Sequence, residues 1–398
     1  MNKFGTALAA ATVNVAIATA GAAVAQEVTL TSPDGTISLT GNFISFDNNN
    51  YVIDSAVGPL TVSGDLVDCT GDACPSVRIE AGTPVVWNVS LWGQRRAFTE
   101  HVEKLAELVE DRTDGLFTMN ISYGGLSDSR ENLDGISEGA FEMAQFCAGY
   151  HPDKNPSITV LELPFLGVSS LEQEIDLSLA VYQHPATQAD MARWNATLLM
   201  PSPLPQYNII GTGFPPTSLT DFGRMKVRAT GGIGDAVAAL GAELVSIPAP
   251  EVQGAMAAGD VNAVSFAPHA HMSFGTVESA TWWTTNLNPG TVNCPVVANT
   301  AALDRLPDVY RIALESAIPD ALEHYVDFYN GRTMDAWAPA LRDNGVIELT
   351  INAEILASIN EAVAAPAAAT WVTDATLNGL PGRELYDLVV TTIAENGS

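Results

Sequence analysis

The fold is decided by residues 225–266, which read MKVRATGGIGDAVAALGAELVSIPAPEVQGAMAAGDVNAVSF. Short apolar runs predict three strands, at Met225–Ala229, Leu244–Ile247 and Val261–Phe266. The segments between them carry apolar residues at helical spacing, and Pro250 opens the second helix while Gly259 ends it. This alternation of strands and helices is typical of a parallel sheet, whose ligands lie beyond the carboxyl ends of its strands.

Arg228 is a charge within an otherwise apolar strand, at the end of the strand where such ligands bind. Its guanidinium must be hydrogen-bonded, because an isolated buried charge is very costly. It either forms a structural ion pair with an acid such as Asp235 or Glu251, or holds a ligand carboxylate through two parallel hydrogen bonds. The position at the end of the strand favours the carboxylate clamp, with Ser265 and Phe266 at the end of a neighbouring strand.

A second alternation of strands and helices begins at Pro84 and predicts a second α/β lobe. Residues 291–300, TVNCPVVANT, are expected to cross back to this lobe. The helical pattern over Leu303–Ala365 predicts a long helix that lies across both lobes. Residues 27–78 alternate apolar and polar side chains between turn-forming clusters, which predicts a small antiparallel β unit, with a linker at Pro75–Gly82.

The composition is that of a globular protein with a sizeable core: 398 residues, 47% hydrophobic and 7% aromatic. The formal net charge of -29 argues against nucleic acid as a partner. Scattered acids of this kind are explained most simply by solubility in a salty medium. An anionic ligand would therefore need concentrated local positive charge, with salt screening the distant acids.

The N-terminus, residues 1–25, is typical of a cleavable secretory signal, because Lys3 precedes an Ala-rich apolar run that ends in Ala-Val-Ala. Cleavage is predicted before Gln26. The alternative, a membrane anchor, is disfavoured because Asn14 interrupts the run and no basic residue stops it.

The four cysteines are compatible with disulfides in an exported protein. Cys69 and Cys74 flank a short turn and are predicted to pair. The pairing of Cys147 with Cys294 is left open by the sequence, because spacing alone does not give their separation. A structural zinc site would require two close pairs or added histidines, and there is one close pair.

Catalytic and cofactor motifs are weak in this chain. The segment at 135–139, Gly-Ile-Ser-Glu-Gly, has the Gly-x-Ser-x-Gly spacing but falls within a short predicted helix and not at the strand-to-helix turn of a nucleophile elbow, and the segment at 211–213, Gly-Thr-Gly, lacks the third glycine of a dinucleotide fingerprint. The glycines at 231–234 are not followed by the Lys-Ser or Lys-Thr of a phosphate loop. His269 and His271 are the best metal candidates if their segment is extended, but without a third ligand nearby polar rim histidines are the preferred interpretation.

Several segments together resemble a known family over some three hundred residues. In chain order they are LDGISEGAFEMAQ at 133–145 followed by Tyr150, LPFLG at 163–167, LTDFGRMKVRATGG at 219–232, LGAELVSIPAPEVQGAMAAGDVNAV at 240–264 and VVANTAALDRLPDVYRIAL at 296–314. The chain from about Val85 resembles the DctP-like solute-binding subunits of tripartite ATP-independent periplasmic (TRAP) transporters, in particular the branch that binds 2-oxo acids and related carboxylates.

The resemblance implies a periplasmic binding protein of α/β class, with two lobes of mostly parallel sheets and a long helix spanning them. The expected domains are a signal peptide at 1–25, the β unit at 26–78, lobe I at 79–205 with 294–340, and lobe II at 206–293 with 341–398. Such a receptor closes on a small organic acid and docks to TRAP membrane subunits.

The resemblance also makes Arg228 the principal carboxylate clamp. The expected ligand-binding residues are Arg228, Trp92, Tyr150, Ser265 and Phe266, with Gln94 and Arg95 as further candidates on the loop after the first strand. Ordinary core packing is the alternative for the two aromatic residues of lobe I. Asn299 is expected to cap a helix.

Ser265 and Phe266 depart from the 2-oxo acid branch, which carries Glu-Trp at this place. The carboxylate that would help to hold a metal ion beside the ligand is therefore missing, since a serine offers only a hydroxyl. This departure favours an acid bound without a metal ion or other cofactor.

Two other classes of function fit parts of the sequence. A secreted metal-dependent hydrolase would use His269 and His271. An envelope sensor would use the β unit to contact a partner while the two lobes detect the ligand.

Overall fold

The computed structural model describes residues 27–32, 35–47, 50–71, 74 and 80–396. The predicted signal peptide lies outside these residues. The chain divides into two compact units, Met1–Val77 and Arg78–Ser398.

The strands of the described residues are, in chain order, β1 (Glu27–Thr31), β2 (Ser38–Asp47), β3 (Asn50–Ser55), β4 (Gly58–Ser63), β5 (Asp68–Thr70), β6 (Val85–Leu91), β7 (Phe117–Tyr123), β8 (Met143–Gln145), β9 (Ala196–Met200), β10 (Asn208–Gly211), β11 (Lys226–Arg228), β12 (Glu243–Val245), β13 (Ala263–Phe266), β14 (Trp282–Thr284), β15 (Val296–Asn299) and β16 (Ile347–Leu349). The helices are α1 (Glu100–Arg112), α2 (Asn132–Glu138), α3 (Leu171–Tyr182), α4 (Pro185–Ala192), α5 (Gly231–Ala239), α6 (Val252–Ala258), α7 (Pro268–Ser273), α8 (Thr300–Arg305), α9 (Asp308–Phe328), α10 (Met334–Asp343), α11 (Ala353–Leu377) and α12 (Gly382–Asn396).

The first unit is one antiparallel sheet of five strands in the order β4-β3-β2-β1-β5. Its small core comprises Val28, Leu30, Tyr51, Ile53 and Val67. A disulfide joins Cys69 and Cys74, as predicted. A unit with so small a core gains stability from a covalent link of this kind.

The second unit contains two sheets, which define its two lobes. Lobe I is built on the sheet β7-β6-β8-β15-β9, and lobe II on the sheet β12-β11-β13-β10-β14-β16. Five of the nine strand pairings are parallel and four are antiparallel. The α/β class is confirmed, and the sheets are more mixed than the alternation of strands and helices suggests.

The segment that decides the fold forms as predicted, in the order β11, α5, β12, α6 and β13. β11 lies between β12 and β13 and is parallel to both. Gly259 ends α6 in the left-handed conformation, with φ 78°. The crossover back to lobe I is also confirmed, because β15 lies between β8 and β9.

Long helices connect the lobes. α9 packs on α1 and β9 of lobe I, continues through a π-helical turn at Tyr329–Thr333, and becomes α10, which packs on α7 of lobe II. The helical pattern predicted over Leu303–Ala365 is interrupted at β16, which joins the sheet of lobe II. The π turn marks a local break in the regular helical ladder at the level of the lobe interface.

The C-terminal helices differ from the expected lobe assignment. α11 contacts α5 of lobe II and α12, and α12 packs along α3 of lobe I. The assignment of residues 341–398 to lobe II therefore does not hold for α12, whose Val389 is buried in one apolar cluster with Leu177 and Val181 of α3. Among the described helices, α11 is long and apolar enough to cross a membrane by length and composition alone.

Candidate functional site

A small cavity lies between the two lobes, at the end of β11. Its volume is about 30 Å³, close to that of one water molecule. The lining residues are mostly aromatic or apolar: Trp92, Phe98, Cys147, Tyr150, Leu204, Tyr207, Arg228, Thr230, Ala249, Phe266, His269, Ala270, Phe274, Val292 and Cys294. No Asp or Glu is among them.

Arg228 reaches this cavity from β11 and is 2% exposed. Its Nε and Nη2 donate to the carbonyl oxygen of Ile247 at 3.0 and 2.9 Å. The guanidinium lies over the ring of Phe266 at 4.6 Å, a cation–π contact. Neither Asp235 nor Glu251 forms an ion pair with Arg228, and its hydrogen bonds to the described residues come from Nε and Nη2 and not from Nη1.

Tyr150 connects Arg228 to lobe I. Its hydroxyl oxygen accepts hydrogen bonds from Nη2 of Arg228 at 3.1 Å and from the backbone N–H of Ala249 at 3.0 Å. Because both of these bonds are accepted, the hydroxyl proton of Tyr150 remains to be donated.

A second arginine, Arg96, is buried beside the cavity in lobe I and is 7% exposed. Its Nη1 donates to the carbonyl oxygens of Trp92 at 3.0 Å and Gln94 at 2.7 Å. Its Nε and Nη2 are buried and have no hydrogen-bond partner among the described residues. Burial lowers the pKa of Arg96 to about 10, so the group remains charged at neutral pH.

The two guanidinium groups are separated by aromatic rings on either side. On one side, Arg96 lies 4.2 Å from the ring of Trp92, which lies 5.7 Å from the ring of Tyr150, which binds Arg228. On the other side, Arg96 lies 5.5 Å from the ring of Phe274, which lies 5.8 Å from Phe266, against which Arg228 stacks. Two rings therefore separate the arginines along each path.

The unpaired polar groups around the cavity are hydrogen-bond donors. Besides the arginines, the indole Nε1 of Trp92 is buried and has no partner among the described residues. Tyr207, which also lines the cavity, has its pKa raised by burial, so its hydroxyl keeps its proton. A site with many donors and two fixed positive charges is suited to an anion.

Three of the sequence-predicted residues do not line this cavity. Ser265 is buried with its Oγ unpaired, but Phe266, the next residue of β13, is the one that lines the cavity. This follows from the geometry of a strand, in which successive side chains lie on opposite faces.

Gln94 and Arg95 lie at the rim. Nε2 of Gln94 donates to the carbonyl oxygen of Ser273, which connects lobe I to lobe II. Arg95 is exposed and forms a salt bridge with Glu103 of α1, so its neighbour Arg96 is the arginine that faces inward.

His269 and His271 lie on the short helix α7, because Pro268 begins a helix where an extended segment was considered. Residues i and i+2 of a helix do not share a face. Nδ1 of His269 lies 3.0 Å from the Tyr329 hydroxyl, and Nδ1 of His271 lies 2.8 Å from Oγ1 of Thr276. Burial lowers the pKa of both histidines. Within the described part of the chain, no three His, Cys, Asp or Glu residues are grouped to hold a metal ion.

A buried pair of carboxyl groups lies behind the cavity. Oε1 of Glu162 accepts from the backbone N–H groups of Gly149 and Asn293, at 3.2 and 3.0 Å. Oε2 of Glu162 and Oε2 of Glu174 have no hydrogen-bond partner in the described residues. Burial raises the pKa of Glu162 to about 7 and that of Glu174 to about 8. We call Glu162 and Glu174 the acid pair.

Gly231 and Gly232 bring lobe II into close contact with this pair. A Cβ on Gly231 would lie 2.0 Å from Oε2 of Glu162, and one on Gly232 would lie 1.9 Å from its carbonyl oxygen. Gly231 has φ 55°, a conformation that other residues rarely adopt. The glycine pair therefore permits the approach of the lobes seen in this structure.

A disulfide between Cys147 and Cys294 lies in the cavity wall. It joins the segment after β8 to the segment before β15, which the sequence left open. Nearby, Asn299 caps α8, with its side chain accepting from the N–H of Ala302 at 2.9 Å, as expected.

Two lobes, joined by helices that span both, and a cavity of hydrogen-bond donors between them define a protein that holds a ligand between its lobes. Comparison with known sequences agrees with this class. Residues 89–372 match the family described as bacterial extracellular solute-binding protein, family 7 (DctP), and the chain belongs to it. The predicted resemblance is confirmed at the level of the family, and the 2-oxo acid branch stays a prediction.

Solved structures share this fold. A marine metagenome TRAP solute-binding protein specific for aromatic acid ligands, in complex with metahydroxyphenylacetate, is 21% identical, with a TM-score of 0.71 over 78% of this chain and 99% of that chain. DctP7 of Bordetella pertussis, an extracytoplasmic solute receptor binding pyroglutamic acid, is 20% identical, with a TM-score of 0.68 over 77% and 99% of the two chains. A TRAP solute-binding protein of Rhodoferax ferrireducens T118, in complex with copurified benzoate, is 17% identical, with a TM-score of 0.71 over 79% and 98%.

Proposed function

We propose that this chain is the solute-binding receptor of a TRAP-type secondary transporter and captures a small organic acid between its lobes. Family membership and the two-lobed fold support the receptor role. The similar structures hold benzoate, metahydroxyphenylacetate and pyroglutamic acid, all of which carry a carboxyl group.

One observation supports a carboxylate as the class of ligand. Two buried arginines adjoin the cavity, and neither forms an ion pair with an acid of the described residues. A buried arginine remains charged, so its stabilisation requires an anion or a full set of acceptors. A carboxylate provides both the charge and the acceptor oxygens, because it accepts two parallel hydrogen bonds from a guanidinium.

Arg228 is well suited to hold that carboxylate. The carbonyl oxygen of Ile247 and the ring of Phe266 fix its guanidinium, so little side-chain entropy is lost when the ligand binds. Nη1 of Arg228, the Tyr150 hydroxyl and the Trp92 indole then donate to the acid.

Ligand entry requires the lobes to move apart. A cavity of about 30 Å³ is too small for an organic acid, and hydrogen bonds such as that of Gln94 to Ser273 connect the lobes across its rim. Contacts to both lobes give the ligand its differential affinity for the closed form, which is the form presented to the membrane subunits.

The periplasm is the proposed location. The DctP family is described as extracellular, and residues 1–25 have the pattern of a cleavable signal. The two disulfides are consistent with an oxidising compartment.

Calorimetry with a panel of small organic acids tests the proposal. We expect one-to-one binding to the full mature chain, and about a hundredfold weaker binding by Arg228→Met, since hydrogen bonds to charged groups contribute about 1.5–3 kcal/mol. Arg224→Met, which removes an exposed arginine from the turn before β11, is the matched control and should bind as the unmodified chain does. Equal affinities of Arg228→Met and the control would overturn the clamp.

The same experiment addresses the enzyme alternative. A receptor returns the acid unchanged after prolonged incubation, and its affinity is the same with or without a chelator. Turnover of the acid that a chelator abolishes would instead favour a metal-dependent hydrolase.

A further inference from the structure

The side of the Arg96 guanidinium formed by Nε and Nη2 is suited to bidentate binding of a carboxylate. The N–H bonds of Nε and Nη2 run parallel and form the bidentate fork. In Arg228 this fork is already used by the carbonyl oxygen of Ile247. In Arg96 the same two nitrogens are buried and unpaired among the described residues, so its fork is free.

The rings around Arg96 show which space the fork adjoins. The guanidinium contacts the rings of Trp92, Phe98 and Phe274 at 4.2, 5.3 and 5.5 Å, and all three rings line the cavity. The positive charge of Arg96 also contributes to the lowered pKa of His269, which lines the cavity as well. Arg96 therefore lies in lobe I directly behind the rings that line the cavity.

A purely structural role would leave the free fork unexplained. Nη1 already accounts for the two hydrogen bonds that Arg96 makes to backbone carbonyls, at Trp92 and Gln94. The remaining N–H groups lose their hydration without gaining an acceptor, which is costly for a charged group. An acceptor supplied by the ligand removes this cost in the closed form.

We infer that Arg96 is a second anion-recognition residue, and that the ligand is a compact planar dianion with acceptor oxygens at both ends. One carboxylate binds the fork of Arg96 in lobe I, and the other binds Nη1 of Arg228 and the Tyr150 hydroxyl in lobe II and at the interface. The aromatic rings between the two arginines cover the flat middle of the ligand. This inference rests on the proposed function and deepens it, because it names an aromatic dicarboxylate as the ligand class.

The arrangement also gives a physical cause for closure. The arginines belong to different lobes, and each repels the other while no anion lies between them. A ligand that carries a negative group at each end neutralises both charges only when the lobes are closed. A monocarboxylate neutralises one of them and leaves the other unpaired.

Calorimetry with benzoate and the three benzenedicarboxylates, phthalate, isophthalate and terephthalate, tests this inference. We expect at least one dicarboxylate to bind the full mature chain about tenfold or more tightly than benzoate, as one additional charge-assisted pair predicts. Arg96→Met should remove this preference and leave benzoate affinity within about threefold, since Arg228 is intact.

Arg95→Met is the matched control, because Arg95 is the neighbouring arginine but is exposed and paired with Glu103. It should keep the full preference for the dicarboxylate. Arg96→Lys retains the charge but lacks the fork, and we expect it to lose most of the preference. Because this variant conserves the charge, it decides the question if Arg96→Met does not fold.

The outcomes separate the two claims. If acids bind and Arg228→Met weakens them, but no dicarboxylate is preferred or Arg96→Met keeps the preference, the dianion inference is wrong and the receptor proposal stands. If no acid of the calorimetry panel binds the unmodified chain, the proposed function itself is wrong.

Discussion

The cavity and the acid pair behind it are two buried regions that differ in the sign of their unpaired groups. In the described part of the chain, the cavity has cationic groups without an anion, and the acid pair has carboxyl groups without a cation. The cavity adjoins two arginines and no carboxylate, whereas Glu162 and Glu174 have no cationic partner among the described residues. A carboxyl group avoids the cost of a buried unpaired charge by keeping its proton, which agrees with the raised pKa values of the acid pair. An arginine cannot shed its charge near neutral pH, so its anion must come from elsewhere.

The contrast provides a criterion that separates a binding site from a structural cluster when both are buried and polar. Unpaired groups that can neutralise themselves need no ligand. Unpaired groups that cannot do so indicate that a partner is missing. This criterion supports the proposal that the cavity is the ligand site, and it makes the acid pair a structural element through which the stability of the protein depends on pH.

The largest expected effect comes from removing both cavity charges. The double variant Arg96→Met, Arg228→Met should bind the preferred acid about a thousandfold more weakly or worse, because two charge-assisted contacts are lost. Calorimetry against Arg95→Met, Arg224→Met, which removes two exposed arginines instead, checks this. Comparable affinities of the two double variants would show that the buried charges are not the reason for binding.

The acid pair should affect the pH dependence of the unfolding free energy and not the affinity for the ligand. Its carboxyl groups bind protons more tightly in the folded chain than the ordinary glutamate pKa of about 4.5 allows. Their contribution is therefore complete below about pH 4.5 and is lost as the pH rises through about 7 and 8. The unmodified chain should lose on the order of 7 kcal/mol of unfolding free energy between pH 5 and 9, because each pKa unit of difference corresponds to about 1.4 kcal/mol.

Glu162→Gln, Glu174→Gln should flatten this dependence, because an amide does not ionise. Denaturant unfolding at several pH values gives the measurement, with Glu172→Gln as the control at an exposed position on the same helix. Identical pH dependence in the double variant and the unmodified chain would contradict the assignment.

Gly232→Ala tests whether the acid pair and the cavity are coupled by lobe closure. The added methyl group would lie 1.9 Å from the carbonyl oxygen of Glu162 in the closed form, so the backbone must shift. Overpacking of this kind costs about 1–3 kcal/mol, which predicts an affinity about 10- to 100-fold lower. Gly254→Ala is the control, because a methyl group there meets no atom within 4 Å.

The sequence predicted those features of the fold that depend on neighbouring residues, and it missed those that depend on packing between distant segments. The order of elements from β11 to β13 was predicted with strand boundaries within two residues of the observed ones, because its apolar periods and its proline and glycine boundaries are local features. The surface on which α12 packs was not predicted. Helical periodicity shows that a helix has a buried face, but it does not identify the element that covers this face. The helix at Pro268 had a local signal, a proline at its first position, that argued against an extended segment there.

The candidate site shows the same limit. Arg228 was identified because a charge within an apolar strand is conspicuous, and its assumed bidentate fork proved to be occupied by a backbone carbonyl. Arg95 was predicted as a site residue and Arg96 was not, since consecutive residues of a loop have no period that shows which one is buried.

The smallest expected effect concerns the rim, whose polar groups are accessible to water and therefore differ from those of both buried regions. Gln94→Ala removes one hydrogen bond between the lobes, to Ser273, and leaves no buried group unpaired. A net contribution of about 0.5–1 kcal/mol predicts release of the ligand two- to fivefold faster, with little change in the association rate. Stopped-flow measurement of both rates checks this, because Gln94 as a direct ligand contact would instead give a loss of affinity that varies from one acid to another.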